Sequence, residues 1–294
     1  MECRWSRRVG QGATVAVAAI GVLLSFSVSA QMLPGSASGQ PLEVKADRAI
    51  EWREDQKAYV ARGNAYAKKG DVVVTADLLT AYYRIAPNKG NEVFRMVAEG
   101  NVHVVRVNQE VFGDKGVYDV DQKLAVVTGR NLKLVTPTDI VTARDSLEYY
   151  EEKGLMVARG DALAIRDQKK LRADILVGRF VEQDGKQTLD RIDGEGHVVV
   201  TTPTDVAISD RLMYAQASNI AILVGQVKIT RNDNQIVGDA AEMNMTTKVN
   251  RVLSSSGRVE ALLVNREKAK EDAQPAAQKP AGQQPVNQRS VNRK

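Results

Sequence analysis

Cysteine is almost missing from this sequence: Cys3 is the only one, and it lies within the first few residues. The rest of the chain therefore has no disulfide framework, no thiolate nucleophile and no cysteine-based metal site. Histidine is nearly as scarce, with only His103 and His197, so no metal-ligand spacing can be assembled from His and Cys. Neither a G-x-S-x-G elbow nor a Walker loop occurs. Gly194-Glu195-Gly196 begins like a dinucleotide loop, but the sixth position is Val199 and no helical pattern follows. The adjacent carboxylates Glu151-Glu152 fall in a polar turn, and no acidic pairs cluster on strand faces as a carbohydrate-cleaving site would need. These absences predict no enzyme, no cofactor and no bound metal.

Aromatic residues make up only 5% of the chain, so its apolar interior must be built mainly of Val, Leu, Ile and Ala. A hydrophobic run long enough to span a membrane as a helix is also lacking. The stretch from Ala13 to Phe26 falls short of the ~20 residues usually needed. Arg4, Arg7 and Arg8 precede it and Val28-Ser29-Ala30 follow, which predicts an export signal over 1–30 ending before Gln31. Kept uncleaved, the same segment would be an anchor with its basic end inside. Cys3 precedes the apolar run and so is not placed for lipid attachment.

The body has no excess of either charge. The net +5 sits at the ends: 1–30 holds three Arg and one Glu, 266–294 holds seven basic and three acidic residues, and 31–265 is left at −1. A nucleic-acid-binding fold normally carries a basic face on the folded domain itself, so no nucleic-acid partner is expected. The tail 266–294 is rich in Gln, Pro and Ala and poor in large apolar residues, which predicts disorder. It would act as a solubilising tail, or touch an acidic membrane or glycolipid surface.

What the chain does contain is one brick, used repeatedly. Glycines open similar stretches at 63, 100, 129, 160, 196, 225 and 257, at intervals of 37, 29, 31, 36, 29 and 32. The two long intervals each contain a polar insertion, "APNKGNE" from 86 and "EQDGKQTLD" from 182. Without them the period is close to thirty, the signature of a stacked repeat. Fourteen residues after the glycine comes Asp77, Asp114, Asp174, Asp210 or Asp239, each behind a small residue. The module from Gly129 departs, with Ala143-Arg144, and a partial unit at the front ends in Ala46-Asp47. A small residue followed by Asp suits a tight strand corner, where Asp can bond its local backbone. Each Asp stands about thirty residues from the next, without the dense acidic spacing of a calcium loop.

Between these landmarks the period is two. Two and four places after the glycines stand Ala65/Ala67, Val102/Val104, Ala162/Ala164, Val198/Val200 and Val227/Ile229, with Leu132/Leu134 one residue out of step. The residues between them are mixed and mostly polar, His103 among them, which predicts half-buried antiparallel strands. Thirty residues would reach roughly 100 Å if extended at ~3.3 Å each, so every module must fold back as two to four strands. Stacked side by side, the modules form an elongated all-β structure with a continuous apolar inner face.

The stretches "PLEVKADRAIEW", "GNAYAKKGDVVVTADLL" and "GNVHVVRVNQEVFGD" resemble the OstA/LptA family of periplasmic lipopolysaccharide-transport proteins, over about 41 to 265. The resemblance implies an antiparallel β-jellyroll, or "β-taco", whose hydrophobic groove holds lipid A acyl chains while the sugar head stays in water. It also implies the periplasm and end-to-end joining into a bridge between inner and outer membranes. The partners would be homologous jellyrolls of LptC-like inner-membrane and LptD-like outer-membrane components, or further copies of the chain. On this reading the twelve inner residues just named are the lipid-binding column. The bridging edges are Pro41, Leu42, Glu43, Val44, Lys45 and Ala46 at one end and Arg258, Val259, Glu260, Ala261, Leu262, Leu263 and Val264 at the other. Two alternatives use the same fold: an LptC-like adaptor tethered to the inner membrane, and a structural scaffold whose interior its own side chains fill.

Overall fold

A computed structural model describes residues 42–86, 90–183, 186–247, 249–254 and 257–264. The expected export signal, Pro41 and the expected tail 266–294 lie outside these residues. The described chain is all strand and turn. It begins with β1 (Glu43–Lys45), β2 (Ala49–Arg53), β3 (Ala58–Lys69), β4 (Val72–Ala86), β5 (Gly90–Arg106) and β6 (Gln109–Asp119). Next come β7 (Leu124–Thr128), β8 (Leu132–Val135), β9 (Ile140–Ala143), β10 (Ser146–Tyr150), β11 (Leu155–Arg166) and β12 (Lys169–Gln183). It ends with β13 (Lys186–Thr201), β14 (Asp205–Ala215), β15 (Ile220–Arg231), β16 (Asn234–Asn244), β17 (Asn250–Leu253) and β18 (Glu260–Leu262). Every pairing is antiparallel, and consecutive long strands are neighbours in the stack, while the short strands pair past one another, as β1 with β3, β6 with β8 and β7 with β10.

Each long strand has two arms separated by a corner. In β3, residues 58–62 pair with β2 and with Leu78–Tyr82 of β4, while 65–69 pair with Val72–Ala76. The register slips between Arg62 and Ala65, and equivalent slips occur before Val102, Ala162, Val198 and Val227. The skipped pair is a glycine with φ between +74° and +83°, followed by Asn64, Asn101, Asp161, His197 or Gln226, also at positive φ. That is a glycine-led β-bulge, which bends the strand and sharpens its twist. Two strands thus make one thirty-residue module. The arms form two layers joined along the line of bulges: the elongated antiparallel stack that the period predicts, and the β-jellyroll that the resemblance implies.

The Asp landmarks brace these corners. Asn64 and Asn101 donate through Nδ2 to Asp47 at 2.7 Å and Asp77 at 2.9 Å. The backbone N–H of Arg130 donates to Asp114 at 2.9 Å, and Ser254 Oγ donates to Asp239 at 2.9 Å. The module from Gly129 turns out to keep its Asp two residues late. A Cβ on Gly160 would strike the Asp145 carboxylate, as one on Gly100 would strike Asp77. Arg144 precedes Asp145 at a break between β9 and β10, and its N–H donates to the Gly160 carbonyl just as that of Asp47 does to Gly63.

Both insertions lengthen second-layer hairpins. β12 and β13 run on to Gln183 and Lys186, and this extension carries Phe180 and Leu189 into the core. The core is uneven along the stack. From β11 onward it is a dense cluster in which Val198 and Val227 are wholly buried and Leu223 is 1% exposed. The strands before β11 hold two small clusters, one around Ala76, Ala98 and Val102 and one around Tyr118, Ala125 and Tyr149, while Val111, Val127, Leu132, Leu134, Ala143 and Leu147 join the large one.

Candidate apolar groove

In the half made from residues 42–156 the two layers do not close on each other. They enclose a cavity of about 560 Å³, inside the ~300–1,000 Å³ range of small-molecule sites. The first layer contributes Val44, Ala67, Val74, Val102, Val104, Val111 and Leu134. The second contributes Ile50, Ala81, Val93, Met96, Val117 and Met156. These side chains face inward because the strand period is two and each bulge resets which face a residue takes. Nothing in the lining but its rim carries charge.

The expected column is thus divided by the structure. Ala67, Val102, Val104 and Leu134 line the cavity. Ala65 and Leu132 lie beside the corner and are 0% and 2% exposed. Ala162, Val198, Val200 and Val227 are buried in the second half's core, with Ala164 and Ile229 packed against it. His103 faces outward, as its alternation predicts, stacked on Phe112 with centroids 4.3 Å apart and bonded to Glu110 at 3.0 Å.

The rim is polar. Lys69, Arg106 and Gln109 stand where the first layer's hairpins turn, and Glu148 lies on the second layer. Burial pushes the Glu148 carboxyl up, but hydrogen bonds from Ser146, Arg159 and Tyr150 outweigh it and hold it below the ordinary carboxylate range. Tyr118, also in the lining, has its phenol pushed well above its usual range by burial and by the nearby Glu151 carboxylate, so it stays neutral.

Two hairpin tips are built differently, and periodicity gave no sign of it. Thr136-Pro137-Thr138-Asp139 and Thr202-Pro203-Thr204-Asp205 are the same four residues, a repeat visible in the sequence once sought. In each, the Asp N–H donates to the first Thr hydroxyl at 2.9 Å, and the second Thr hydroxyl donates to the Asp carboxylate. The next rung supplies an arginine. Arg166 grips Asp139 with two bonds of 2.6 Å, and Arg231 Nε donates to Asp205 at 2.5 Å. The Asp side chains are 5% and 2% exposed.

The expected edges are strand edges in part. Among the described residues β1 pairs only with β3 and β18 only with β16, so there each has one open side. Leu42, Glu43, Val44 and Lys45 are exposed, and Ala46 is half-buried. Glu260, Ala261 and Leu262 form β18, while Arg258, Val259, Leu263 and Val264 flank it, all exposed. Sequence reasoning missed the second layer's edges. On β2, Ile50 and Trp52 are 59% and 60% exposed; on β17, Leu253 is 56% exposed. Trp52 stacks on Tyr59 at 6.2 Å and donates through Nε1 to the Tyr83 hydroxyl at 2.8 Å.

The family model described as LptA/(LptD N-terminal domain) LPS transport protein matches the chain twice, over residues 43–145 and 141–249. The chain belongs to this family. The two matched stretches divide this family member close to where the open half gives way to the closed one. Among solved structures, a similar one is LptH from Pseudomonas aeruginosa, described as the LptA homologous periplasmic component of the conserved lipopolysaccharide transport device. It is 12% identical, the match covers 77% of this chain and 96% of that one, and the TM-score is 0.20. Among curated proteins there is no match.

Proposed function

We propose that this chain is a periplasmic lipopolysaccharide carrier that shelters lipid A acyl chains in its groove and joins edge to edge into a bridge between the membranes. The observation that carries the proposal is the apolar cavity of about 560 Å³ in a member of a lipopolysaccharide-transport family. Acyl chains gain about 0.8 kcal/mol per buried CH₂, and a wall of Val, Ala, Leu and Met has no directional contacts to break as a lipid slides. The column residues are the holding surface on this reading, with Ala67, Val102, Val104 and Leu134 reached first. The sugar head stays at the polar rim. Residues 41–265 act as the working stack, after an export signal over 1–30 and before the tail 266–294. The exposed edges at β1 and β18 pair with LptC-like and LptD-like jellyrolls or with another copy.

The test is capture of purified lipopolysaccharide by a photo-crosslinker placed at Ala67. Wild type should be labelled, and Val104→Asp, which puts a carboxylate in the apolar wall, should cut labelling at least tenfold. Undiminished labelling of a folded Val104→Asp protein would overturn the groove assignment.

A further inference from the structure

We propose that the second half is a latched lipid compartment, closed by the Asp139–Arg166 and Asp205–Arg231 pairs and opened when those pairs part. The inference rests on the reading above, that the open groove takes acyl chains. Its starting point is equivalence. Val198 and Val200, and Val227 and Ile229, stand at the same places after their bulge glycines as Val102 and Val104 do after Gly100. The same inner column therefore faces a cavity in one half and a closed core in the other.

The mouth is where the halves differ. Six residues after the bulge glycine the first layer ends on Lys69, Arg106, Arg166 or Arg231. In the open half Arg106 pairs at 2.6 Å with Asp71, a hairpin-turn residue whose side chain is 47% exposed. In the closed half each arginine instead pairs with the Asp that begins a neighbouring inner column, and that Asp is nearly sealed from water. The first latch bridges β9 and β11, where the lining of the open groove ends. The second bridges β14 and β15 in register, Asp205 facing Arg231.

Beneath the second latch lies a void of about 10 Å³ bounded by Thr202, Asp205, Val200, Leu212, Met243 and Met245. It has room for no more than about one water, so the compartment is closed by collapse of its fillers. Two of those fillers are methionines, unbranched side chains that re-pack easily around a new occupant. The seal itself is the wrong kind for a permanent core. An ion pair taken out of water is no better a seal than apolar side chains of the same volume, and often a worse one. Its distinguishing property is that the parted groups regain water at the rim, which an apolar seal would not.

Replacing methionine by its photo-reactive diazirine analogue tests this with little change of shape. Met96 and Met156 line the open groove; Met243 and Met245 lie in the closed half. With purified lipopolysaccharide, wild type should crosslink through Met96 and Met156 and at least tenfold less through Met243 and Met245. In the Asp139→Asn, Asp205→Asn double variant, folded by circular dichroism, Met243 and Met245 should label within twofold of Met96. Equal labelling of all four in wild type, or silent Met243 and Met245 in the folded double variant, would overturn the latch. Asp205→Arg combined with Arg231→Asp rebuilds the pair and should keep Met243 silent. A lipid-free measurement separates the two claims: amide exchange over 220–244 should rise about tenfold in Asp205→Asn, and unchanged exchange overturns the latch. Absence of labelling at Met96 and Met156 would instead remove the groove reading, with the exchange result still deciding the latch.

Discussion

Gly129 and Gly90 both hold positive φ, at +145° and +71°, but only Gly129 is hemmed in. A Cβ there would meet the backbone nitrogen of Asp114, whereas one on Gly90 would meet nothing within 4 Å. Gly90→Ala should therefore cost only the backbone penalty, ~1 kcal/mol. Gly129→Ala should cost ~2 kcal/mol more, because backbone cannot yield as a side chain can; urea unfolding midpoints of the two variants check this. His197 gives a second expectation. Its hydrogen bond of 2.8 Å to Asp174, together with that carboxylate's charge, raises its pKa above the ordinary 6.5. The contact is complete below pH 6.5, where the imidazole is charged in folded and unfolded chains alike, and is lost as pH rises through the folded pKa. NMR titration should place the His197 midpoint above 6.5 and bring it back toward 6.5 in Asp174→Asn. At this scale the corner residues were legible, since a small residue and Asp at fixed phase have few other uses. Asp145 escaped the pattern because two extra residues shift its phase, and the Thr-Pro-Thr-Asp tips because they fall outside the periodic strands.

The β12–β13 hairpin shows how an insertion can be legible in place while its packing is not. "EQDGKQTLD" is polar by composition and lies at a hairpin end, as an insertion should. Yet Leu189 within it is 3% exposed and packs with Phe180 in the core of the closed half. A single apolar residue among polar neighbours carries no periodic signal, and only the extra register shift between Arg179 and Phe180 turns it inward. The open half's counterpart, β4–β5, instead places Val93 on the cavity wall. Truncations should report the difference. Leu189→Ala and Leu223→Ala remove side chains packed on all sides and should each cost ~2–5 kcal/mol by urea denaturation. Val104→Ala removes atoms that already face a void and should cost no more than ~1 kcal/mol. Equal losses at the three sites would mean that the open groove is packed as tightly as the closed core.

Over the whole molecule, the period gave the stack and its inner face, but it could not say where that face is open. Openness depends on which side chains fill the space between the layers and which pairs cap its rim, a relation between residues far apart in sequence. The edges were half legible for a similar reason. β1 and β18 end the repeat and were expected as docking strands, whereas β2 and β17 became edges only because each rung bends into two arms. Among the described residues both ends therefore present two open strands with exposed apolar residues: Ile50 and Trp52 on the second layer and Leu42 on the first at one end, Leu253 on the second and Leu262 and Leu263 on the first at the other. Such edges are templates for pairing, and a lysine on one is a standard way to block it. A head-to-tail contact uses unlike ends and can extend without closing. Wild type should form chains as its concentration rises; Ile50→Lys should spoil one end and Leu253→Lys the other, so each variant alone should remain monomeric over the same range. Mixed together, the two variants should stop at dimers, since only one good junction exists between them. Analytical ultracentrifugation reads all three states, and chains longer than two in the mixture would show that the second-layer edges are not the junction.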